Sequence, residues 1–227
     1  MEFTGERFIM DSSTGIMQGD HLKRYEFAKG FAPGKRVLDI ACGSGYGSAM
    51  LAEGAAKSVT GVDISPEAVA FAKGRFGGLP NLTYLNEDAC AFRKGEFDLI
   101  TSFETIEHLN QRDTFLANLY SMLVPGGILL ISTPNKAIKS PTRPSNSPKN
   151  KFHVYEYRQE EFTRTIMQAG FKIEKLMGQH LFPFFYRFER LSWRLKRYKF
   201  FENTSCDLKS LANPLVISKF IVVLARK

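Results

Sequence analysis

Short apolar runs punctuate the first 135 residues, each followed by glycine, proline or polar residues and then by a stretch with helical spacing of apolar positions. Arg36 to Ala41 (RVLDIA), Ser58 to Asp63 (SVTGVD), Leu82 to Leu85, Phe97 to Phe103 (FDLITSF) and Ile128 to Thr133 (ILLIST) read as buried strands. Gly47 to Glu53 begins a helix. Ser65 caps another, which Pro66 opens and which runs to about Phe76. Arg112 to Leu123 forms a third, ended by Pro125-Gly126-Gly127. Strands and helices alternating at this spacing predict right-handed βαβ units and a parallel sheet.

After Pro134 the pattern stops. The stretch NKAIKSPTRPSNSPKNK is rich in Pro, Ser, Asn and Lys and reads as a long loop, a class that is usually functional or disordered. Gln159 to Ala169 resumes a helix ended by Gly170, and Phe171 to Met177 and Leu215 to Ala225 are strands. Arg158 stands where Ser or Thr would cap that helix, which leaves its start, and the placement of His153, open. The most apolar stretch, Leu215 to Ala225, is strand length and carries Lys219, far short of the ~18 apolar residues of a membrane span. MEFTGERFIMDSS has early acids and no apolar run, unlike a signal peptide. Cys42, Cys90 and Cys206 are too scattered for a disulfide framework, and a cytoplasmic location follows. The 227 residues suit one domain, with an N-terminal cap (1–34), a basic loop (134–152) and a basic aromatic insertion (179–213).

The chemistry starts at VLDIACGSGYGS. Gly43, Gly45 and Gly47 follow a strand directly and precede a helix, whose N-terminus supplies free N–H groups. The spacing is GxGxG, not the GxGxxG of a dinucleotide cradle. Asp63 ends the next strand, 20 residues after Gly43, where a carboxylate can accept both hydroxyls of a ribose. Asp39 lies four residues before the first glycine.

These residues, with GVDISPEAV (61–69), NEDA (86–89), FDLITSFETIEHL (97–109) and LVPGGILLISTPN (123–135), resemble the class I S-adenosylmethionine-dependent methyltransferases over roughly residues 35–178. The resemblance implies an α/β, Rossmann-like seven-stranded sheet in the order 3-2-1-4-5-7-6, the last strand antiparallel. It also implies S-adenosylmethionine as cofactor. The glycine loop would pass beneath it with Asp39, Ala41, Gly43, Ser44 and Gly45. Asp63 and Ile64 would meet the ribose and its surroundings, Asp88 and Ala89 the adenine, and Phe103 the methionine side.

Glu104, Glu107 and His108 stand at i, i+3 and i+4, so on a helical turn they share one face. His153 follows the basic loop. Two readings stay open. His108, with Glu104 beside it, is a general base taking a proton from an acceptor hydroxyl; or Glu104, Glu107, His108 and His153 hold a divalent cation, Mg2+ or Mn2+. The ExxEH pattern with a later His resembles small-RNA 3′-end 2′-O-methyltransferases and ubiquinone-pathway O-methyltransferases. It also resembles bacterial methyltransferases of glycan gene clusters, as does the opening TGER followed by HLKRY. Arg24 and Tyr25 are candidates to meet the cofactor carboxylate or the acceptor.

Charge sharpens the picture. The net +8 is concentrated: residues 136–151 hold five basic and no acidic side chains, and residues 179–201 hold six basic and one acidic. The first 135 residues are net acidic. In 179–201, Arg187, Arg190, Arg194 and Arg197 recur at helical steps beside an apolar stripe, as in an amphipathic basic helix. Arg187 is a candidate contact to an anionic acceptor. A peripheral membrane contact and a homodimer contact are other uses of such a helix. The acidic core and the lack of a recognisable RNA-binding module weigh against nucleic acid. The leading expectation is therefore methyl transfer to an oxygen of a small or glycan-like acceptor, a sugar or sugar nucleotide first. The alternatives are an RNA or quinone-precursor methyltransferase and an inactive cofactor-binding partner subunit, against which intact Asp39, Gly43, Gly45 and Asp63 argue.

Overall fold

A computed structural model describes residues 15–183, 206–212 and 216–227. Eight strands form one sheet: β1 (Arg36–Ile40), β2 (Ser58–Asp63), β3 (Leu82–Asn86), β4 (Phe97–Phe103), β5 (Leu123–Pro134), β6 (Lys172–Pro183), β7 (Lys209–Ser210) and β8 (Val216–Arg226). The helices are α1 (Gly15–Lys29), α2 (Tyr46–Glu53), α3 (Pro66–Phe76), α4 (Arg112–Met122), α5 (Lys136–Lys139) and α6 (Gln159–Gln168). The strand order is β3-β2-β1-β4-β5-β8-β6-β7. The first five strands are parallel, and β8 is antiparallel to both β5 and β6. This is the expected arrangement with one addition, the two-residue β7, which pairs with Met177 and Gly178 at the edge of β6.

Alternation along the strands divides the core in two. Val37, Val59, Leu99 and Leu130 face α1, α2 and α3, whereas Leu38, Ile40, Ile100, Leu129 and Ile131 face α4 and α6. A parallel sheet buried on both faces needs such continuous apolar strands.

The structure corrects several boundaries. Leu123 already pairs with Phe97, so β5 starts directly after α4. Pro125-Gly126-Gly127, expected to end the helix, instead form a bulge within the strand, with Gly126 at φ 74°. β6 runs to Pro183 rather than Met177, because β8 supplies ladder partners as far as Val216. The basic loop is not wholly irregular: Asn135 Oδ1 accepts from Ala137 N at 3.0 Å and caps the single turn of α5. α6 starts at Gln159 as predicted. Its cap comes from the helix itself, since Glu161 Oε2 accepts from Arg158 N at 3.4 Å. The opening TGER and the predicted helix bearing Arg187 lie outside the described residues.

Candidate active site

The C-terminal ends of β1, β2 and β4 meet at one edge of the sheet, where open α/β sheets bind ligands. The turn from β1 into α2 has three left-handed residues, Ala41 (φ 60°), Gly43 (φ 55°) and Gly45 (φ 81°). A Cβ on Gly43 would meet nothing within 4 Å, so this face of the turn is open to a ligand. Asp63 ties the turn to β2: Oδ2 accepts from Gly43 N at 2.8 Å and Oδ1 from Ser65 N at 2.9 Å. Ile64 beside it is 65% exposed, a large apolar side chain without cover at a strand end. Asp88 Oδ1 accepts from Cys90 N at 2.8 Å, fixing the turn that presents Ala89. Ser44 and Phe103 are buried in the same corner. An open glycine turn, a strand-end carboxylate and an uncovered aliphatic side chain fit a nucleoside with a ribose diol and a flat base.

Beneath this turn lies Asp39, fully buried. Tyr25 Oη (2.9 Å), Ser48 Oγ (2.6 Å) and Thr101 Oγ1 (2.8 Å) all donate to it. Burial pushes its carboxyl up to about 6, against the opposing pull of the three hydroxyls. Asp39 therefore supports the turn from below rather than facing a ligand. Tyr25 packs edge-on to Tyr46 and Phe103, and a Cβ on Gly47 would come within 2.1 Å of its ring. Only glycine at 47 lets α1 settle this closely on α2.

A second cluster of polar side chains begins where β4 ends. Glu104, Glu107 and His108 do not share a helical face. Glu104 precedes a one-turn 3-10 helix (Ile106–His108) and takes a left-handed φ of 51°. Glu104 Oε1 accepts from Ser132 Oγ at 2.8 Å and lies 3.1 Å from Arg24 Nη1. Glu107 is fully buried. Its Oε2 accepts from Thr133 Oγ1 at 3.2 Å, while Oε1 has no hydrogen-bond partner among the described residues. Burial, then the charge of Glu104, hold the Glu107 carboxyl well above the usual carboxylate range.

The backbone of Glu107 also places the basic loop. Its carbonyl accepts from Val154 N (2.8 Å) and Tyr155 N (3.1 Å), bringing His153 against His108 with ring centroids 5.0 Å apart. Ring tautomers follow from the partners. His108 Nδ1 lies 3.0 Å from the Phe152 carbonyl, which can only accept, so Nδ1 carries a proton, and in the neutral ring the lone pair is then on Nε2. Asn150 Oδ1 accepts from Phe152 N, so its Nδ2 donates to His153 Nε2 at 2.9 Å, and His153 Nδ1–H donates to Glu156 at 2.8 Å. Glu107, His108 and His153 each offer one ligand atom within 4.8 Å of the others; Glu104 does not join them.

Arg24 links the two sides. It is fully buried, with Nε donating to Gln179 Oε1 at 2.7 Å and Nη1 to Ser132 Oγ at 3.2 Å, under the ring of Phe220. Sequence reasoning missed its neighbours Gln179, Ser132, Asp20 and His180. His180 Nε2 lies 2.6 Å from Asp20 Oδ1, and Cys206 joins them in a second tight group. Gln179 is separated from Arg24 by 155 positions, and no local pattern announces the pairing.

The fold and site define an α/β methyltransferase-type protein. A family model described as a methyltransferase domain matches residues 38–131. A protein of Mycolicibacterium smegmatis, described as a "probable S-adenosylmethionine-dependent methyltransferase", is 33% identical over 183 residues, covering 78% of this chain and 68% of its own length. The chain belongs to the S-adenosylmethionine-dependent methyltransferases. It spans 61% of a similarly described Mycobacterium tuberculosis protein, at 30% identity over 75% of this chain. A ubiquinone biosynthesis O-methyltransferase of Xanthomonas campestris is 36% identical over 49% of this chain and 48% of its own. Among solved structures, the N-methyltransferase NodS of Bradyrhizobium japonicum, in complex with S-adenosyl-L-homocysteine, shares the fold with a TM-score of 0.65. It is 17% identical and covers 95% of this chain and 89% of that one. No helix among the described residues is long and apolar enough to cross a membrane.

Proposed function

We propose that the chain, as a single domain, transfers the methyl group of S-adenosylmethionine to an oxygen of a small or glycan-like acceptor, a sugar or sugar nucleotide in the first place. The observation that carries this reading is the fixed tautomer of His108. The Phe152 carbonyl holds a proton on Nδ1, so in the neutral ring Nε2 bears the lone pair that can take a hydroxyl proton, on the 3-10 turn that follows β4. The cofactor, when bound, supplies a methyl group already activated by the sulfonium charge. Gly43, Asp63 and Ile64 would hold its nucleoside part, and Arg24 and Tyr25 anchor α1 to β1, β5 and β6. The acceptor oxygen would take that methyl group, and His108 Nε2 would receive the oxygen's proton. The residues contribute mainly positioning and this proton transfer. The free cysteines suit a reducing, cytoplasmic setting.

A second reading has its own observation. Glu107 Oε1 is buried without a partner beside two imidazoles. Glu107, His108 and His153 would hold a divalent ion there, His153 Nε2 giving up its hydrogen bond from Asn150 to do so, and the ion would lower the acceptor hydroxyl's pKa. One experiment separates the two: turnover with a panel of sugars and sugar nucleotides, in wild type and His108→Ala, before and after EDTA. A base without metal predicts a fall of about 100-fold or more in kcat for His108→Ala and no effect of EDTA. The metal reading predicts loss on chelation and recovery with Mg2+ or Mn2+. Unchanged turnover in His108→Ala removes both.

A further inference from the structure

We propose that Lys139 and Lys219, gathered with Arg24 around the ring of Phe220, form a subsite for a phosphate group of the acceptor. This rests on the reading of the site as one for acceptor methylation and adds the acceptor's charge.

Three cations from three separate elements converge on one aromatic ring. Arg24 Cζ of α1 lies 4.6 Å from the Phe220 centroid, Lys139 Nζ of α5 lies 5.0 Å away, and Lys219 Nζ of β8 lies 5.2 Å away. Cation–π attraction holds each near the ring, and their mutual repulsion is offset only in part by the carboxylates of Glu104, Glu156 and Asp20. Each of these carboxylates has a nearer partner than the two lysines: Asp20 has His180 at 2.6 Å, Glu156 has His153 at 2.8 Å and Glu104 has Arg24 itself at 3.1 Å. Neither Lys139 nor Lys219 forms an ion pair within 4.0 Å among the described residues. Burial, then the Lys219 charge, press the Lys139 ammonium below its usual range. Arg24 is wholly buried, yet its Nη2 has no hydrogen-bond partner among the described residues. A buried guanidinium donor left unmade is costly.

An anion would meet both ammonium groups and the open Nη2 of Arg24 at once. The two ammonium charges without ion pairs match a phosphate, which carries roughly −1.5 to −2 at neutral pH as a monoester, better than the single charge of a carboxylate. An Arg edge beside two ammonium groups also suits phosphate oxygens. The subsite's place in the sheet assigns it to the acceptor. Phe220 pairs with Pro134 of β5 and Gln179 of β6, and β8 stands three places from β1 in the strand order. The glycine turn of the cofactor follows β1. Lys139 belongs to the basic stretch 136–151, so part of that concentrated charge lies at the site rather than on a distant surface.

The test is calorimetric titration of the full chain, saturated with S-adenosylhomocysteine, with inorganic pyrophosphate and, separately, acetate. Wild type, Lys139→Met, Lys219→Met and the double variant are compared, the methionines keeping the apolar stems. Pyrophosphate should bind the wild type, and each single change should weaken it about 10-fold, the worth of one charge-assisted hydrogen bond. The double variant should lose more, with S-adenosylhomocysteine affinity unchanged in all four proteins. Equal pyrophosphate affinity in wild type and double variant overturns the subsite, as does absence of binding to the wild type or acetate binding as tightly. Lys139→Gln and Lys219→Gln repeat the comparison should a methionine variant fail to fold. His108→Ala turnover is read separately, so failure of the subsite is not confused with failure of the methylation reading.

Discussion

Replacing Tyr25 by Phe removes one hydroxyl and leaves the ring, with its edge contacts to Tyr46 and Phe103, in place. That hydroxyl donates to Asp39, a fully buried carboxylate whose pKa stands at about 6 against an ordinary 3.8. The sign follows from proton counts. Between pH 3.8 and 6 the folded chain keeps a proton that the unfolded chain has released, so Asp39's contribution to stability falls as pH rises. The whole decline is about 3 kcal/mol, from the rise of the carboxyl from 3.8 to about 6 at roughly 1.36 kcal/mol for each tenfold change in proton affinity. Above pH 6 the carboxylate is charged and depends on its three hydroxyl donors. Losing one there forfeits a charge-assisted bond of about 1.5–3 kcal/mol, whereas near pH 5, with Asp39 mostly protonated when folded, the loss is about 0.5–1.5 kcal/mol. Urea unfolding of wild type and Tyr25→Phe at pH 5 and pH 8 measures both values. The destabilisation should be larger at pH 8 by about 1 kcal/mol. An equal effect at both pH values, or a larger one at pH 5, refutes the picture of a buried ionised Asp39 held by these donors.

Two further changes probe the cofactor turn. Asp63→Ala removes the acceptor of Gly43 N and the carboxylate offered to a ribose, so S-adenosylhomocysteine affinity should fall about 100-fold or more by calorimetry; near-normal affinity would remove Asp63 from the site. Gly47→Ala places a Cβ 2.1 Å from the Tyr25 ring, an overpacking that should cost about 1–3 kcal/mol. It should lower Tm and weaken cofactor binding together, and a variant of unchanged Tm would mean that α1 yields without cost.

The parts of the fold legible in the sequence are those with local causes. Short apolar runs gave β1 to β4 within a residue of their ends, and Ser65-Pro66 marked the start of α3 because cap and first turn are adjacent in sequence. The length of β6 was not legible, since it depends on how far β8 reaches, and β8 lies beyond a long intervening segment. The same divide runs through the site. Gly43, Asp63 and Ile64 sit at predictable strand ends. The i, i+3, i+4 spacing of Glu104, Glu107 and His108 suggested one helical face, but the left-handed turn at Glu104 separates it from the other two. That turn is stabilised by Ser132 and Arg24, partners 28 residues later and on another element.

Consecutive residues of α1 serve opposite ends of the site. Tyr25 reaches Asp39 under the glycine turn, while Arg24 reaches Ser132, Gln179 and Phe220, across β5, β6 and β8. Helix α1 is therefore a common support for the cofactor turn and the acceptor side, and the two cannot be perturbed independently through it. Glu104 closes the link. A non-glycine residue at φ 51° costs of order 1–3 kcal/mol unless its surroundings fix it. Here the ion pair to Arg24 and the hydroxyl of Ser132 do so, one residue after Phe103, whose ring packs on Tyr25. The strained residue at the end of β4 is thus held by the same helix whose Tyr25 supports the glycine turn. Damage to the packing of α1 on α2 should reach the Glu104 carboxylate through Arg24, with Glu107, His108 and His153 themselves unchanged.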